Sequence, residues 1–270
     1  MIIFTESVLK KQHIYGINKE NNNLQKALFM KPLILIPARL ASTRLPGKML
    51  KDIGGHPLIA HVALRALEAD IAPVYVSCDS PKIQEAVESV GVKAILTDPD
   101  LPSGSDRIFN ALQEIDPSGD FDTVINVQGD LPNISPEAIR VSLDPLHNPD
   151  FDVATLGTQI HNAEDLNNPN IVKIALAHKD DGRHQALYFS RAPIPTGPGP
   201  HYHHIGLYSY RRAALEKFVT WAPSPLEQQE KLEQLRLLEN GLKIGVALVD
   251  EVPLSIDTQE DLDRARNLMT

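Results

Sequence analysis

The sequence predicts an α/β fold: a mainly parallel central sheet with helices on both faces. Three observations predict it. Short all-apolar runs recur, as strands buried on both faces require. Most are followed by a stretch with helical spacing of apolar residues. Serine–proline starts and glycine stops punctuate those stretches. Strands alternating with helices mean βαβ units and parallel pairing.

Residues 1–30 stand apart. Asn18–Asn23 (NKENNN) is polar and turn-rich, so 1–30 reads as a loosely attached extension. The alternatives are a start codon upstream of a true start at Met30, or a short docking helix striped by Leu24, Ala27, Leu28 and Met30. Leu33–Pro37 (LILIP) is the first strand. Pro57–Ala69 follows as a helix, apolar at 58, 59, 62, 63, 66 and 67, with Pro57 at an early helical position. Val74–Cys78 is the second strand, and Ser80–Gly91 a helix with a serine cap, proline at its first position and glycine at its stop. Lys93–Leu96, Gly104–Ile115 and Asp122–Asp130 continue as strand, helix and strand, and Ser135–Leu146 opens another helix. From about Phe151 the rhythm changes. Asp152–Ile160, Asn170–Ala177 and His184–Ala192 read as strands joined by Asn/Pro/Gly loops, which predicts antiparallel pairing. His203–Arg212 is a further strand entering a helix. Ser224–Gly241 reads as one helix, with Ser224 and Glu227 as a capping box and Pro225 at its first position. Lys243–Val249 is a strand, and Asp257–Met269 a closing helix capped by Thr258 with Asp261 three residues on.

The 270 residues, 42% hydrophobic and 23% charged, suit one α/β domain or one domain with an inserted lobe. No stretch approaches the roughly 20 apolar residues of a membrane span. Nor does the opening segment have the apolar run and cleavage site of a secretory leader. The single cysteine, Cys78, excludes an internal disulfide and fits a reducing, cytoplasmic setting; it reads as an ordinary half-buried strand thiol. The net charge of -9 argues against general nucleic-acid binding. That charge is uneven: residues 1–55 hold nine Lys/Arg against three Asp/Glu, a basic opening on an acidic body. A local anion site suits that distribution better than a polyanion-binding face.

In open α/β sheets, ligands sit beyond the carboxyl ends of the strands. Pro37–Lys48 (PARLASTRLPGK) lies at such a place. Ser42, Thr43 and Gly47 leave backbone N–H groups accessible, and Arg39, Arg44 and Lys48 add three charged donors. Three cations fit a triphosphate better than a single carboxylate, although a solvated basic loop has the same composition. The segment is neither a Walker loop nor a GxGxxG turn, which disfavours a plain dinucleotide-binding domain. Asp130, in NVQGDLP, follows a buried strand, where a carboxylate holds Mg²⁺ against phosphate oxygens or merely closes a turn. Asp257, in SIDTQED, precedes the last helix, where it either joins such a site or stabilises the helix terminus. Two carboxylates with a three-cation loop make a metal–triphosphate site coherent.

IPARLASTRLPGK, NVQGD, ALYFSRAPIP, HIGLYSYR, SPLEQQEKLEQLR and SIDTQEDLDRAR occur in that order. Together they resemble the 3-deoxy-D-manno-octulosonate (Kdo) cytidylyltransferase, or CMP-Kdo synthetase, family from about Lys31 to Thr270. The YFSRAPIP and SPLEQ…LEQLR segments are the discriminating ones. The resemblance implies a Rossmann-like nucleotidyltransferase fold over 31–270, with about 151–220 contributing a β-rich substrate and dimerisation lobe. It implies CTP and Kdo as substrates, a Mg²⁺ cofactor, a homodimer, and CMP-Kdo made in the cytoplasm for lipopolysaccharide assembly. The catalytic set implied is Arg39, Arg44, Lys48, Asp130 and Asp257. Arg39, Ser42, Arg44 and Lys48 would hold the nucleotide phosphates, Asp130 and Asp257 the metal. Ser103, Ser105 and Arg107 would lie near the base. Gln128, Arg191, His204, Tyr208, Glu233 and Gln234 would line the Kdo pocket, with Arg191 suited to the sugar carboxylate. Read without the family, Glu233 is a helix-face charge, His204 a satisfied core imidazole and Tyr208 a core or interface ring.

This chain departs from the family at Leu131, where GDEP is usual and a carboxylate beside the metal is therefore absent. The loop Pro195–Tyr202 (PTGPGPHY) is also shorter than in many relatives. Two other functions remain open at this level: a cytidylyltransferase for another acidic sugar, amino-Kdo or sialate-like, and a catalytically silent nucleotide-binding homologue.

Overall fold

A computed structural model of the chain describes residues 30–269. The reading of 1–29 as an extension, and Thr270, lie outside the described residues. The strands are β1 (Pro32–Ala38), β2 (Asp52–Ile53), β3 (His56–Pro57), β4 (Val74–Cys78), β5 (Lys93–Leu96), β6 (Thr123–Asn126), β7 (Val153–Ile160), β8 (Lys173–His178), β9 (His184–Ser190), β10 (His201–Arg211) and β11 (Ile244–Leu248). The helices are α1 (Leu58–Glu68), α2 (Pro81–Glu88), α3 (Gly104–Ile115), α4 (Pro136–Val141), α5 (Ala163–Asn167), α6 (Arg212–Phe218), α7 (Pro225–Glu230), α8 (Leu235–Glu239) and α9 (Gln259–Met269).

Nine strands form one sheet in the order β5-β4-β1-β6-β10-β7-β11-β9-β8. The half formed by β5, β4, β1 and β6 is parallel, as the alternating pattern predicts. β10 then runs antiparallel to β6, β7 and β8, and β8 and β9 pair antiparallel, so the sheet is mixed. The change of rhythm near Phe151 marks this transition. The later strands extend the same sheet.

Alternation in β1 explains its all-apolar sequence. Leu33 and Leu35 face a core with α3, α6 and α8, including Ile108, Leu112, Leu215 and Leu235. Ile34 and Ile36 face the opposite core with α1, α2, α4 and α9, including Ile59, Val62, Ile83 and Leu262. Ser80 accepts from Lys82 N at the start of α2, and Ser135 from Ala138 N at the start of α4, so both serine–proline starts are real caps.

Four expectations need correction. Cys78 is not half-buried but fully buried at the end of β4, and burial pushes its thiol pKa up. Pro57 is not inside α1; it precedes the helix as the last residue of β3. The stretch to Leu146 is interrupted after Val141, with a 3₁₀ turn at Asp144–His147. Ser224–Gly241 is not one helix. α7 stops after Glu230, Lys231 takes the left-handed conformation at φ 56°, and α8 starts only at Leu235. The interruption has tertiary causes. The Glu230 carboxylate accepts from Ser190 Oγ at 2.8 Å and Arg191 N at 3.0 Å, while Arg191 Nε donates to Glu230 O at 3.0 Å.

Candidate active site

The carboxyl ends of β1 and β6 and the start of α3 open onto a cleft of about 300 Å³. Arg39, Ser42, Arg44 and Lys48 line it from the loop after β1, Ser103, Gly104 and Arg107 from the start of α3, and Gln128, Gly129 and Asp130 from the end of β6. Asp257 enters from the segment before α9. Gly47 turns the basic loop at φ 65°, a conformation that favours glycine, and a 3₁₀ turn at Lys48–Leu50 then carries Lys48 inward.

Lys48 joins segments far apart in sequence. Its Nζ donates to Asp130 Oδ2 at 2.9 Å, Asp257 Oδ1 at 3.0 Å and Ile256 O at 2.9 Å. An ammonium has three N–H groups, and all three are matched. Burial opposes the charge, but Asp130 and then Asp257 outweigh it, so the Lys48 pKa is raised. Arg44 Nη2 reaches the other oxygen of Asp257 at 3.0 Å. Ile256 N donates to Asp130 O at 3.0 Å, which fixes the two carboxylate-bearing loops to each other. Gly129 is required by close approach: a Cβ there would lie 2.6 Å from Pro37 O. Leu131 points away from the cleft chemistry and is buried in the apolar core.

Among the described residues, no cluster of three or more His, Cys, Asp or Glu is arranged to hold a metal ion. The carboxylate set of the cleft is the pair Asp130 and Asp257, converging on one cation. Such a pair fits Mg²⁺, which typically takes one or two carboxylates and completes its shell with phosphate oxygens and water.

At the other end of the cleft, Ser103 caps α3. Its Oγ accepts from Asp106 N at 3.2 Å and donates to Asp106 Oδ2 at 2.6 Å. Arg107 is buried, with Nη1 donating to Thr97 Oγ1 at 2.5 Å and Asp98 O at 3.1 Å. Ser105 turns away from this cleft and donates to Glu233 Oε2 at 3.1 Å.

The six residues assigned to the sugar are more dispersed. Gln128 lines the cleft and donates to Asn126 Oδ1 at 3.2 Å. Glu233 and Ser103 line a second cleft of about 590 Å³, so Pro102–Ser103 forms a wall common to both. Burial raises the Glu233 pKa; the neighbouring Ser103 and Ser105 hydroxyls and the charge of Arg236 only partly offset it. Glu233 Oε1, 3.8 Å from Arg236 Nη2, and Gln234 Nε2 are buried without a hydrogen-bond partner, polar atoms of the kind a ligand hydroxyl satisfies. The break between α7 and α8 brings Glu233 to the second cleft and buries Gln234 beside it in the chain; a continuous helix would have displayed both on its turns.

His204 and Tyr208 come together through a bulge. Four residues of regular strand span about 13 Å, yet the register of β10 shifts between Ile205 and Tyr208 and the two rings lie 5.4 Å apart. His204 Nε2 pairs with Thr155 Oγ1 at 3.1 Å. Burial, then His203, depresses its pKa to about 3, so the imidazole is neutral. Burial raises the Tyr208 pKa well above its usual value. Arg191 directs its guanidinium at backbone carbonyls: Nε to Glu230 O at 3.0 Å and Nη1 to Pro169 O at 3.0 Å. Sequence reasoning missed Glu230, which anchors Arg191. It also missed Asp79, whose Oδ1 accepts from Leu40 N at 2.8 Å inside the basic loop. The available signal for Asp79 was an aspartate directly after a parallel strand; nothing local marked Glu230.

The cytidylyltransferase family profile matches residues 33–244. A 3-deoxy-manno-octulosonate cytidylyltransferase of Rhodopseudomonas palustris (strain HaA2) is 55% identical over 239 residues, 88% of this chain and 98% of that protein. One from Xanthobacter autotrophicus is 57% identical over 237 residues, 88% of this chain and 93% of that protein. Among solved structures, CMP:2-keto-3-deoxy-manno-octonic acid synthetase complexed with CTP superposes with a TM-score of 0.80 at 40% identity, covering 88% of this chain and 98% of that one. A cytidylyltransferase from Leptospira borgpetersenii, 19% identical, shares the fold with a TM-score of 0.56, covering 88% and 86% of the two chains. Profile, relatives and fold agree with one another: this chain belongs to the 3-deoxy-manno-octulosonate cytidylyltransferase family of nucleotidyltransferases.

Proposed function

We propose that the protein transfers CMP from CTP to the anomeric 2-hydroxyl of Kdo, giving CMP-Kdo and pyrophosphate. The observation that carries this reading is the cleft itself: Arg39, Arg44 and Lys48 beside Asp130 and Asp257 at the carboxyl ends of parallel strands. The hydroxyl oxygen forms the bond to the α-phosphorus. The bond to the β-bridging oxygen breaks, its electron pair leaves with pyrophosphate, and the hydroxyl proton passes to solvent. No covalent enzyme intermediate is needed. Arg39, Arg44 and Ser42 hold the phosphates, and Lys48 keeps the two aspartates in place. Asp130 and Asp257 would hold a divalent cation, Mg²⁺ in this reading, which supplies charge neutralisation for the triphosphate. Ser103 and Arg107 bound the nucleoside end.

For the sugar, the polar atoms that Glu233 and Gln234 bury without a hydrogen bond support the Kdo assignment. Arg191, held by carbonyls that a carboxylate outcompetes as partner, is the residue for the sugar acid. Arg191→Ala should raise the KM for Kdo far more than that for CTP; an unchanged Kdo response removes this role. The β-rich half serves as the homodimer contact, checked by a sedimentation mass of twice 29.8 kDa. Production of CMP-Kdo for lipopolysaccharide places the enzyme in the cytoplasm, and among the described residues no helix is long and apolar enough to cross a membrane.

The deciding experiment is pyrophosphate release with CTP, Mg²⁺ and fresh Kdo, beside reactions without sugar and with the other three nucleotides. Release that needs both CTP and Kdo supports the reading. Turnover with a different acidic sugar alone redirects it. Bound CTP without turnover on any sugar favours the silent homologue. The core position of Leu131 weighs against that last outcome.

A further inference from the structure

The cleft has a phosphate end, at Arg39 and Arg44, and a nucleoside end, at Ser103 and Arg107. They are carried by different loops, after β1 and at the start of α3, which no backbone bond joins directly. One buried carboxylate lies between them. Asp79 directly follows β4; its side chain is 7% exposed, and that of Arg107 3%. Asp79 Oδ1 accepts from Leu40 N at 2.8 Å, the amide immediately after Arg39. Asp79 Oδ2 lies 3.8 Å from Arg107 Nη2. Arg107 in turn holds Thr97 Oγ1 and Asp98 O, and Thr97 Oγ1 returns to Cys78 O at 3.0 Å. The contacts close a circuit through the ends of β1, β4 and β5. Arg107 Nη2 also reaches Pro99 O at 3.5 Å, so its hydrogen bonds go to neutral oxygens and Asp79 supplies the carboxylate that balances its buried charge.

We infer that Asp79 is a positioning residue that sets the distance between the phosphate loop and the base-side arginine, and thereby the selection of a cytosine nucleotide, without touching the nucleotide itself. The inference rests on the CTP reading of the cleft. Its two contacts separate chemically. Asp79→Asn keeps an oxygen for Leu40 N but turns an uncharged amide toward Arg107; Asp79→Ala removes both.

The test is calorimetric binding of CTP, UTP and inorganic tripolyphosphate, with Mg²⁺ throughout, to the full chain and both variants. In Asp79→Asn, tripolyphosphate should bind as in the wild type, CTP about tenfold more weakly, and the preference for CTP over UTP should shrink. In Asp79→Ala, tripolyphosphate should weaken as well. Equal weakening of CTP and tripolyphosphate in Asp79→Asn, or no weakening in either variant, overturns the inference. Should the variants fail to fold, hydrogen exchange on the wild type decides. The Leu40 amide should be protected beyond its loop neighbours, and exchange at the rate of an open loop overturns the anchor. A wild type that binds neither CTP nor tripolyphosphate overturns the nucleotide reading itself, and is distinguished because it fails before any substitution.

Discussion

At Lys48, three N–H groups meet Asp130, Asp257 and Ile256 O, so one side chain both bridges two carboxylates and fixes their loops. Each aspartate holds half of that arrangement. Asp130→Ala or Asp257→Ala should lower turnover by about 10²–10³-fold, the scale of removing one preorganised charge contact. Near-wild-type pyrophosphate release from either variant, with an unaltered circular dichroism spectrum, would refute the assignment. Gly129 acts through shape. Gly129→Ala places a Cβ 2.6 Å from Pro37 O and within 3.4 Å of Met49, and backbone yields poorly. The cost should be about 1–3 kcal/mol, read as a fall in Tm, with turnover falling further because Asp130 is the next residue. A Tm equal to that of the wild type would mean that the loop yields freely.

Among the elements, the interruption between α7 and α8 does the most for the site. Lys231 sits at φ 56°, a conformation that costs an L-residue about 1–2 kcal/mol. Glu230, Ser190 and Arg191 outweigh that preference. Lys231→Gly should therefore stabilise the protein by about 0.5–1 kcal/mol in urea unfolding, the strain relieved exceeding the added chain entropy. A loss of stability would show that the Lys231 side chain contributes more than its conformation costs. The capping contact that starts α7 is retained, Ser224 N donating to Glu227 Oε2 at 2.9 Å. Glu227 also pairs with Arg236 of α8 through two hydrogen bonds, at 2.7 and 2.5 Å. The two short helices are thus held to each other by an ion pair across the break.

Across the whole molecule, acid stability follows from groups buried in a fixed charge state. His204 titrates at about 3 when folded and near 6.5 when unfolded. The unfolded chain binds the additional proton between those values, so stability rises with pH across that window and falls on acidification, by at most about 1.4 kcal/mol per pH unit. Carboxylates held below their usual range, such as Asp116 beside the Phe121 and Asp120 amides and Arg212, add their loss only nearer pH 4 and below. His204→Gln loses the ring contacts and is destabilised at pH 7, but its deficit should narrow between pH 7 and pH 5 in paired Tm measurements. A deficit that stays constant would refute the neutral buried imidazole.

Much of this protein was legible locally. The all-apolar β1, the serine–proline caps, the change of rhythm near Phe151 and the position of Arg39, Arg44 and Lys48 after a parallel strand are properties of neighbouring residues. Their consequences depend on spacing along the chain. Sequence by itself thus determined most of the element types, the place of the basic loop at the carboxyl end of β1, and the family. Only the tertiary structure decided that β10 crosses between β6 and β7, that His204 meets Tyr208 across a bulge, and that α7 breaks where Glu230 meets Arg191. The pairing of Asp257 with Asp130 was expected, but only the structure showed that both meet on Lys48, from segments 209 and 82 residues away from that lysine. The physical reason is the same in each case. A side chain's conformational preference is set by its own backbone, whereas its partner is set by which strands and loops the folded sheet makes neighbours.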